Sequence, residues 1–280
     1  MTVAAREIEA VGHDGHRWNL IARLPAQPRA ALLWLPALGV AARHYEAFAD
    51  ALAAHGIAVL LHEWRGNGSS SLRASRECDW GYREILACDL PASGQVLHDI
   101  AGGAPLLIGG HSLGGQLACC FAGLQPTTFS RLWLVASGTP WWRSFPAPLR
   151  YALTLVYRFL PWLARRNGVL PGRRVGFGGN EARGLIADWA RVGLSNRYAA
   201  KGMAADLEAG LARLSIPLDT VVMAHDWMAP VGSMRALTAK MAGPARLDVL
   251  PAADIGAPAD HFSWMKSPAA VAARLARAIT

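Results

Sequence analysis

Short, wholly apolar runs bounded by Pro or Gly recur along this chain, and few folds tolerate them. Residues 30–35 lie between Pro28 and Pro36, residues 57–61 follow Gly56, residues 105–109 open on Pro105, and residues 132–136 form a fourth apolar run. Such runs lack alternating polar positions, so they suit strands buried on both faces. Segments with helical spacing separate them. Tyr45, Phe48, Ala49 and Leu52 mark a helix over 43–55 that Gly56 ends; residues 82–100 read as a long helix that Pro91 interrupts or kinks; residues 116–123 are helical. Strands alternating with helices predict an α/β architecture, a mostly parallel sheet with right-handed crossovers and helices on both faces. Residues 6–11 and 17–24 alternate around His13-Asp14-Gly15-His16, which predicts a β-hairpin. Strand character returns at 219–223 and 246–250, with helices near 231–241 and 271–279. Residues 140–213 contain no convincing buried strand. The expected organisation is a core in two parts, 1–138 and 214–280, with a helical lid at 139–213 between them.

Composition narrows the classes. Of 280 residues, 52% are hydrophobic and 17% charged, which excludes a disordered chain and supports a sizeable core. Lys and Arg number 28 against 20 Asp and Glu, a net +8. The arginines are scattered, with pairs such as Arg165-Arg166 and Arg173-Arg174 as the longest runs, and the charge reads as spread over core and lid alike. A nucleic-acid protein concentrates charge in a stripe with aromatics that stack bases, so nucleic acid is not an expected partner. Cys78, Cys88, Cys119 and Cys120 form neither a disulfide framework nor a zinc spacing, and free thiols fit a reducing compartment. Met1 to Gly12 lacks the features of a signal peptide, and no apolar run reaches bilayer length. The expected location is the cytoplasm. The sequence sets no oligomeric state.

Gly110-His111-Ser112-Leu113-Gly114 carries the strongest chemical signal. It joins the 105–109 strand directly to a helix, the strand–turn–helix context of the G-x-S-x-G nucleophile elbow. The turn exposes Ser112 Oγ above the sheet, and the helix N-terminus beneath it favours developing negative charge. The two glycines stand where larger side chains would collide.

On these residues the chain resembles the α/β-hydrolase superfamily over nearly its whole length. Leu35-Pro36-Ala37-Leu38-Gly39 resembles the family's oxyanion loop, with Pro36-Ala37 in place of the usual His-Gly. Glu63-Trp64-Arg65-Gly66-Asn67-Gly68-Ser69-Ser70 resembles its D-x-R-G-x-G-x-S segment, with Glu for Asp. Ala224-His225-Asp226-Trp227-Met228-Ala229-Pro230 resembles its acid loop. The segments around 171–178 and 261–265 are similar to a bacterial branch related to the serine-aminopeptidase-like and monoacylglycerol-lipase-like hydrolases.

The resemblance implies a Ser, acid, His order along the chain. Five aspartates compete for the acid: Asp219, Asp226, Asp248, Asp254 and Asp260. Asp226 stands just past the carboxyl end of a strand, where open α/β sheets place functional groups. His261, about ten residues after the last strand, satisfies the order; six of the other histidines precede the nucleophile. The implied roles are Ser112 as nucleophile, His261 as base, Asp226 as its orienting acid, and the backbone N–H groups of Leu38 and Leu113 as oxyanion donors. No cofactor is needed and no metal-ligand cluster is visible. The lid is expected to roof an apolar acyl pocket through Trp141, Trp142, Leu153 and Tyr157, and the ligand is expected to be a small-molecule ester. Cleavage of a carboxylic or thio ester leads. A non-catalytic binding protein on the same scaffold, and perhydrolysis or carbon–carbon hydrolysis with the same triad, stay open. Arg150, Arg158, Arg165 and Arg166 leave membrane contact as a minor alternative to solvated lid charges.

Overall fold

A computed structural model describes residues 3–279. Residues 1, 2 and 280, the extreme ends of the two predicted core segments, lie outside them. The strands are β1 (Val3–Val11), β2 (Arg17–Pro25), β3 (Ala30–Leu35), β4 (Ile57–Leu61), β5 (Leu106–His111), β6 (Arg131–Val135), β7 (Leu170–Pro171), β8 (Asn180–Glu181), β9 (Leu218–Met223) and β10 (Ala245–Leu250). Eight of them form one sheet in the order β1-β2-β4-β3-β5-β6-β9-β10, and β7 pairs with β8 apart from it. β2 runs antiparallel to both its neighbours, and the other pairings of the large sheet are parallel.

The apolar runs occupy the middle of this sheet because both of its faces are covered. Every residue of β3 is buried. Its side chains alternate across the sheet, so Ala31, Leu33 and Leu35 enter one core and Ala30, Leu32 and Trp34 enter the other. The first core is completed by the helices Leu90–Ile100, Leu113–Leu124 and Arg183–Ser195, the second by Glu46–Ala54 and Ala269–Ala276.

The helix expected at 82–100 is present with a local change of pitch. Tyr82–Glu84 and Leu90–Ile100 are α-helical, and Ile85–Asp89 between them is a π turn in which the Leu90 N–H donates to the Ile85 carbonyl. Pro91 has no N–H for the ordinary bond one turn back, and the widened turn ends just before it. The helix expected at 43–55 opens with a tighter turn, Ala42–Tyr45, before Glu46–Ala54. Between β6 and β9 no strand joins the large sheet. That stretch holds the helices Leu149–Asn167, Arg183–Ser195 and Leu207–Arg213 and the short β7–β8 ladder. Among the described residues, no helix is long and apolar enough to cross a membrane.

Candidate active site

Strand register builds the centre of the site. β3 and β5 pair in parallel with Leu35 opposite Gly110, so the loop after β3 leaves the sheet beside the turn after β5. β5 ends at His111 and the Leu113–Leu124 helix starts two residues later, leaving Ser112 alone between them. Its backbone sits at φ 56°, ψ −122°. Such a conformation costs a non-glycine residue about 1–3 kcal/mol and persists where surrounding packing enforces it. The packing is visible at the flanking glycines. A Cβ on Gly110 would stand 2.4 Å from the Gly114 carbonyl carbon, and one on Gly114 would stand 2.1 Å from the Leu35 carbonyl oxygen.

His261 and Asp226 converge on this serine from the same edge of the sheet. The Ser112 hydroxyl and His261 Nε2 are 2.9 Å apart, and His261 Nδ1 lies 2.7 Å from Asp226 Oδ2. The other oxygen of Asp226, Oδ1, accepts the backbone N–H groups of Met228 and Ala229, each at 2.9 Å. His261 and Asp226 are buried, while Ser112 keeps partial exposure. The His225 N–H donates to the Ala259 carbonyl at 2.9 Å, tying the acid loop to the histidine loop. The competing aspartates have other partners: Asp219 pairs with Arg131 (2.9 Å), Asp248 with Arg246 (3.0 Å), Asp254 with Arg274 (3.5 Å), and Asp260 accepts the N–H groups of Phe262 and Ser263.

The loop after β3 is held by two buried side chains, Tyr45 and Trp64. Tyr45 Oη accepts the Ala37 N–H at 2.9 Å and donates to His111 Nδ1 at 2.8 Å. Burial, reinforced by the neighbouring His261, holds the His111 imidazole far below its usual pKa, so the ring is neutral. Its Nδ1 is assigned as the acceptor because the Tyr45 oxygen already receives the Ala37 N–H and its own O–H needs a partner. The Trp64 indole N–H donates to the Pro36 carbonyl at 2.9 Å. Pro36-Ala37 is thus anchored on both sides, and the backbone N–H groups of Leu38 and Leu113 make no hydrogen bond among the described residues.

The family profile described as serine aminopeptidase, S33, matches residues 26–192. The chain belongs to that family. It is an α/β-hydrolase. Solved structures share the fold over nearly the whole length: the esterase domain of a Rhodothermus marinus protein (18% identical, 99% of this chain and 97% of that chain covered, TM-score 0.62), a hydrolase from Pseudomonas aeruginosa (21%, 96% and 97%, 0.60) and Est1E from Butyrivibrio proteoclasticus with bound ferulic acid (16%, 96% and 95%, 0.62). A comparison with curated proteins finds no match. The S33 match contains Leu38, Ser112 and Leu113 and ends before Asp226 and His261, whose placement rests on the geometry above.

A small cavity in this S33 chain borders Leu38 and Leu113. Trp64, Trp80, Glu181 and Leu185 also line it. Glu181 is buried, which pushes its carboxyl above the usual range, and its Oε1 accepts the Gly179 N–H at 2.6 Å. The predicted lid residues lie elsewhere. Tyr157 is buried edge-on against Trp189 (4.9 Å) and over Gly193, and its hydroxyl donates to the Pro140 carbonyl. Leu153 and Trp142 pack on the core, and Trp141 is half-buried. None of the four lines this cavity. Spacing alone does not separate a helix position that roofs a pocket from one that packs against the neighbouring helix, and Tyr157 does the latter. Among the described residues no group of three or more His, Cys, Asp or Glu side chains is placed to hold a metal ion.

Proposed function

We propose that this chain is a serine hydrolase that cleaves carboxylic or thio esters with an apolar acyl group. The supporting observation is the continuous hydrogen-bonded line from Ser112 through His261 to Asp226, 2.9 and 2.7 Å long. In this reading Ser112 Oγ attacks the substrate carbonyl carbon while His261 Nε2 takes its proton. Asp226 holds the imidazole with Nδ1–H toward itself, leaving Nε2 free to accept, and stabilises the imidazolium that forms. The carbonyl oxygen, now negative, lies between the N–H groups of Leu38 and Leu113, each worth about 3 kcal/mol in the transition state. His261 returns its proton to the departing alcohol or thiol, leaving an acyl-enzyme. Water attacks the acyl-enzyme with the same base, and the serine is regenerated.

Residues 139–213 act as the lid in this proposal, with Glu181 and Leu185 at the cavity and the helices around them covering it. The cavity measures about 10 Å³, room for roughly one water, so an acyl group enters it only if the lining side chains shift. The apolar majority of that lining (Leu38, Trp64, Trp80, Ile85, Leu113, Leu117) favours a hydrocarbon acyl group. Esterase names among the fold neighbours point the same way. A series of p-nitrophenyl esters of graded chain length tests the reading, with Ser112→Ala as control. Turnover that peaks at a defined chain length and vanishes in Ser112→Ala is expected. No turnover of any ester or thioester, with no labelling of Ser112 by a fluorophosphonate, would sink it.

A further inference from the structure

The net charge and the largest exposed apolar stripe of this chain meet on one helix. The predicted even spread of charge does not hold. Residues 139–213 contain 12 Lys and Arg against 4 Asp and Glu, while the remainder of the chain balances at 16 and 16. No Asp or Glu occurs between Asp99 and Glu181. The Leu149–Asn167 helix lies within that stretch. Tyr157, Leu160, Pro161 and Ala164 form its buried face. On the opposite side Tyr151, Leu155, Phe159 and Trp162 are 60%, 69%, 50% and 50% exposed. At 100° per residue these four fall within one side of the helix together with Arg158 and Arg166, whose side chains are also exposed. Among the described residues no carboxylate pairs with Arg158, Arg165, Arg166, Arg173 or Arg174. Phe159 and Trp162 stack at 5.7 Å, forming a continuous aromatic surface in place of scattered side chains.

We propose that this outer face docks on an anionic lipid surface. The helix lies in the plane of the interface, its aromatic and aliphatic side chains among the acyl chains and its arginines at the headgroups. Charge decides between occupants. A second copy meeting the same face would bring unpaired arginines against unpaired arginines, which repels, whereas anionic headgroups supply the missing counter-charge to every one of them. The helix is 19 residues long and carries Arg150, Arg158, Arg165 and Arg166, so it rests on a bilayer and does not cross one. The surface belongs to the lid segment, so docking would present that segment to a pool of apolar esters.

Cosedimentation of the full chain with vesicles tests this, using phosphatidylcholine alone and equal parts phosphatidylcholine and phosphatidylglycerol. Binding at least roughly tenfold tighter to the anionic vesicles, weakened by salt, is expected. Phe159→Ser with Trp162→Ser should lower that binding at least roughly tenfold. Arg158→Gln with Arg166→Gln should remove most of the anionic preference. Both double variants should keep the parental melting temperature and the parental hydrolysis of a short soluble ester, because these side chains face away from the core. Sedimentation is scored because the chain has 11 tryptophans, and fluorescence would not isolate Trp162. Three results would overturn the assignment: no sedimentation with anionic vesicles at low salt, equal binding to both vesicle types, or undiminished binding of the Phe159/Trp162 variant. A concentration-dependent dimer that the same variant abolishes would give the face to a second copy instead. Binding is read without turnover, so its failure is distinguishable from failure of the Ser112 reading.

Discussion

Asp226→Asn separates the orientation of His261 from its mere presence. Asp226 Oδ1 accepts two backbone N–H groups, from Met228 and Ala229, and Oδ2 accepts the His261 Nδ1–H. In the asparagine the carbonyl oxygen must stay on the two loop donors, since turning the amide over would aim its NH2 at both of them and leave them buried without an acceptor. The NH2 therefore faces His261 Nδ1, which accepts. The imidazole proton moves to Nε2 and points at Ser112, so the base cannot take the serine proton. All three hydrogen bonds survive with one reversed, and the fold is expected to lose less than about 1 kcal/mol. The same substitution in a Ser-His-Asp enzyme lowers kcat about 10⁴-fold, which corresponds to about 5 kcal/mol of barrier. The assay is kcat and KM on a p-nitrophenyl ester alongside thermal denaturation. A melting temperature near the parent with kcat down about 10⁴-fold supports the assignment. Activity within tenfold of the parent in a folded Asp226→Asn protein would refute it, because a competent tautomer would then not depend on the carboxylate.

Other expected outcomes follow from the same contacts. Tyr45→Phe leaves the buried Ala37 N–H without its acceptor and should cost about 1–3 kcal/mol in chemical denaturation, with a fall in kcat; unchanged stability would remove Tyr45 from the support of the loop. His62 is fully buried, and burial holds its pKa down at about 3 against an ordinary 6.5. The folded state therefore binds fewer protons than the unfolded chain between those values, so stability is full above pH 6.5 and falls as the pH drops toward 3, by up to roughly 4 kcal/mol. His62→Gln should flatten that part of the stability profile, and an unchanged slope would assign it to other groups. Glu181→Ala frees the Gly179 N–H and should lower kcat on a short ester more than it raises KM; a rise in KM alone would confine Glu181 to binding.

Sequence carried the sheet because the central strands are apolar at most positions, β3 and β4 at all of them, and that pattern is local. The elbow was legible for a similar reason: its two glycines are forced by contacts within a few residues and by the adjoining strand. The assignment of His261 and Asp226 rests on the chain order that the family resemblance implies and on their standing past strand ends. Residues whose role depends on a distant partner were not legible. Tyr45 has ordinary helical spacing, and nothing local says that its hydroxyl reaches Ala37 and His111. The β7–β8 ladder is two residues per strand, too short for any alternation to register. Tyr151, Leu155 and Phe159 recur every four residues, as a core-facing stripe does, and the buried Tyr157, Leu160 and Ala164 recur at spacings of three and four on the other side of the helix. When both faces of a helix are apolar, periodicity cannot say which one is covered. The missing carboxylates of the same segment were countable, and they mark the segment as cationic without saying which face of the helix is exposed.

The proposed lid segment and the proposed oxyanion donor share a direct backbone contact. Gly39 sits at φ +72°, and a Cβ there would stand 2.3 Å from the Gly179 nitrogen and 2.6 Å from the Gly178 carbonyl carbon. The loop carrying Leu38 therefore rests against residues 178–179, which are themselves held by the Glu181 carboxyl on the Gly179 N–H. On its other side the loop is fixed by Trp64 and Tyr45. Moving residues 178–179 away would release one of these two supports and leave Leu38 N–H free to swing. That donor acts only on charge that develops during attack, so its displacement costs turnover and leaves substrate affinity nearly untouched. Glu181 and Leu185 line the cavity beside the same loop. An acyl group is larger than this cavity of about 10 Å³, so seating one presses on the elements that aim the donor, whereas a poorly fitting one leaves them loose. Discrimination between substrates in this chain should therefore be written more in kcat than in KM.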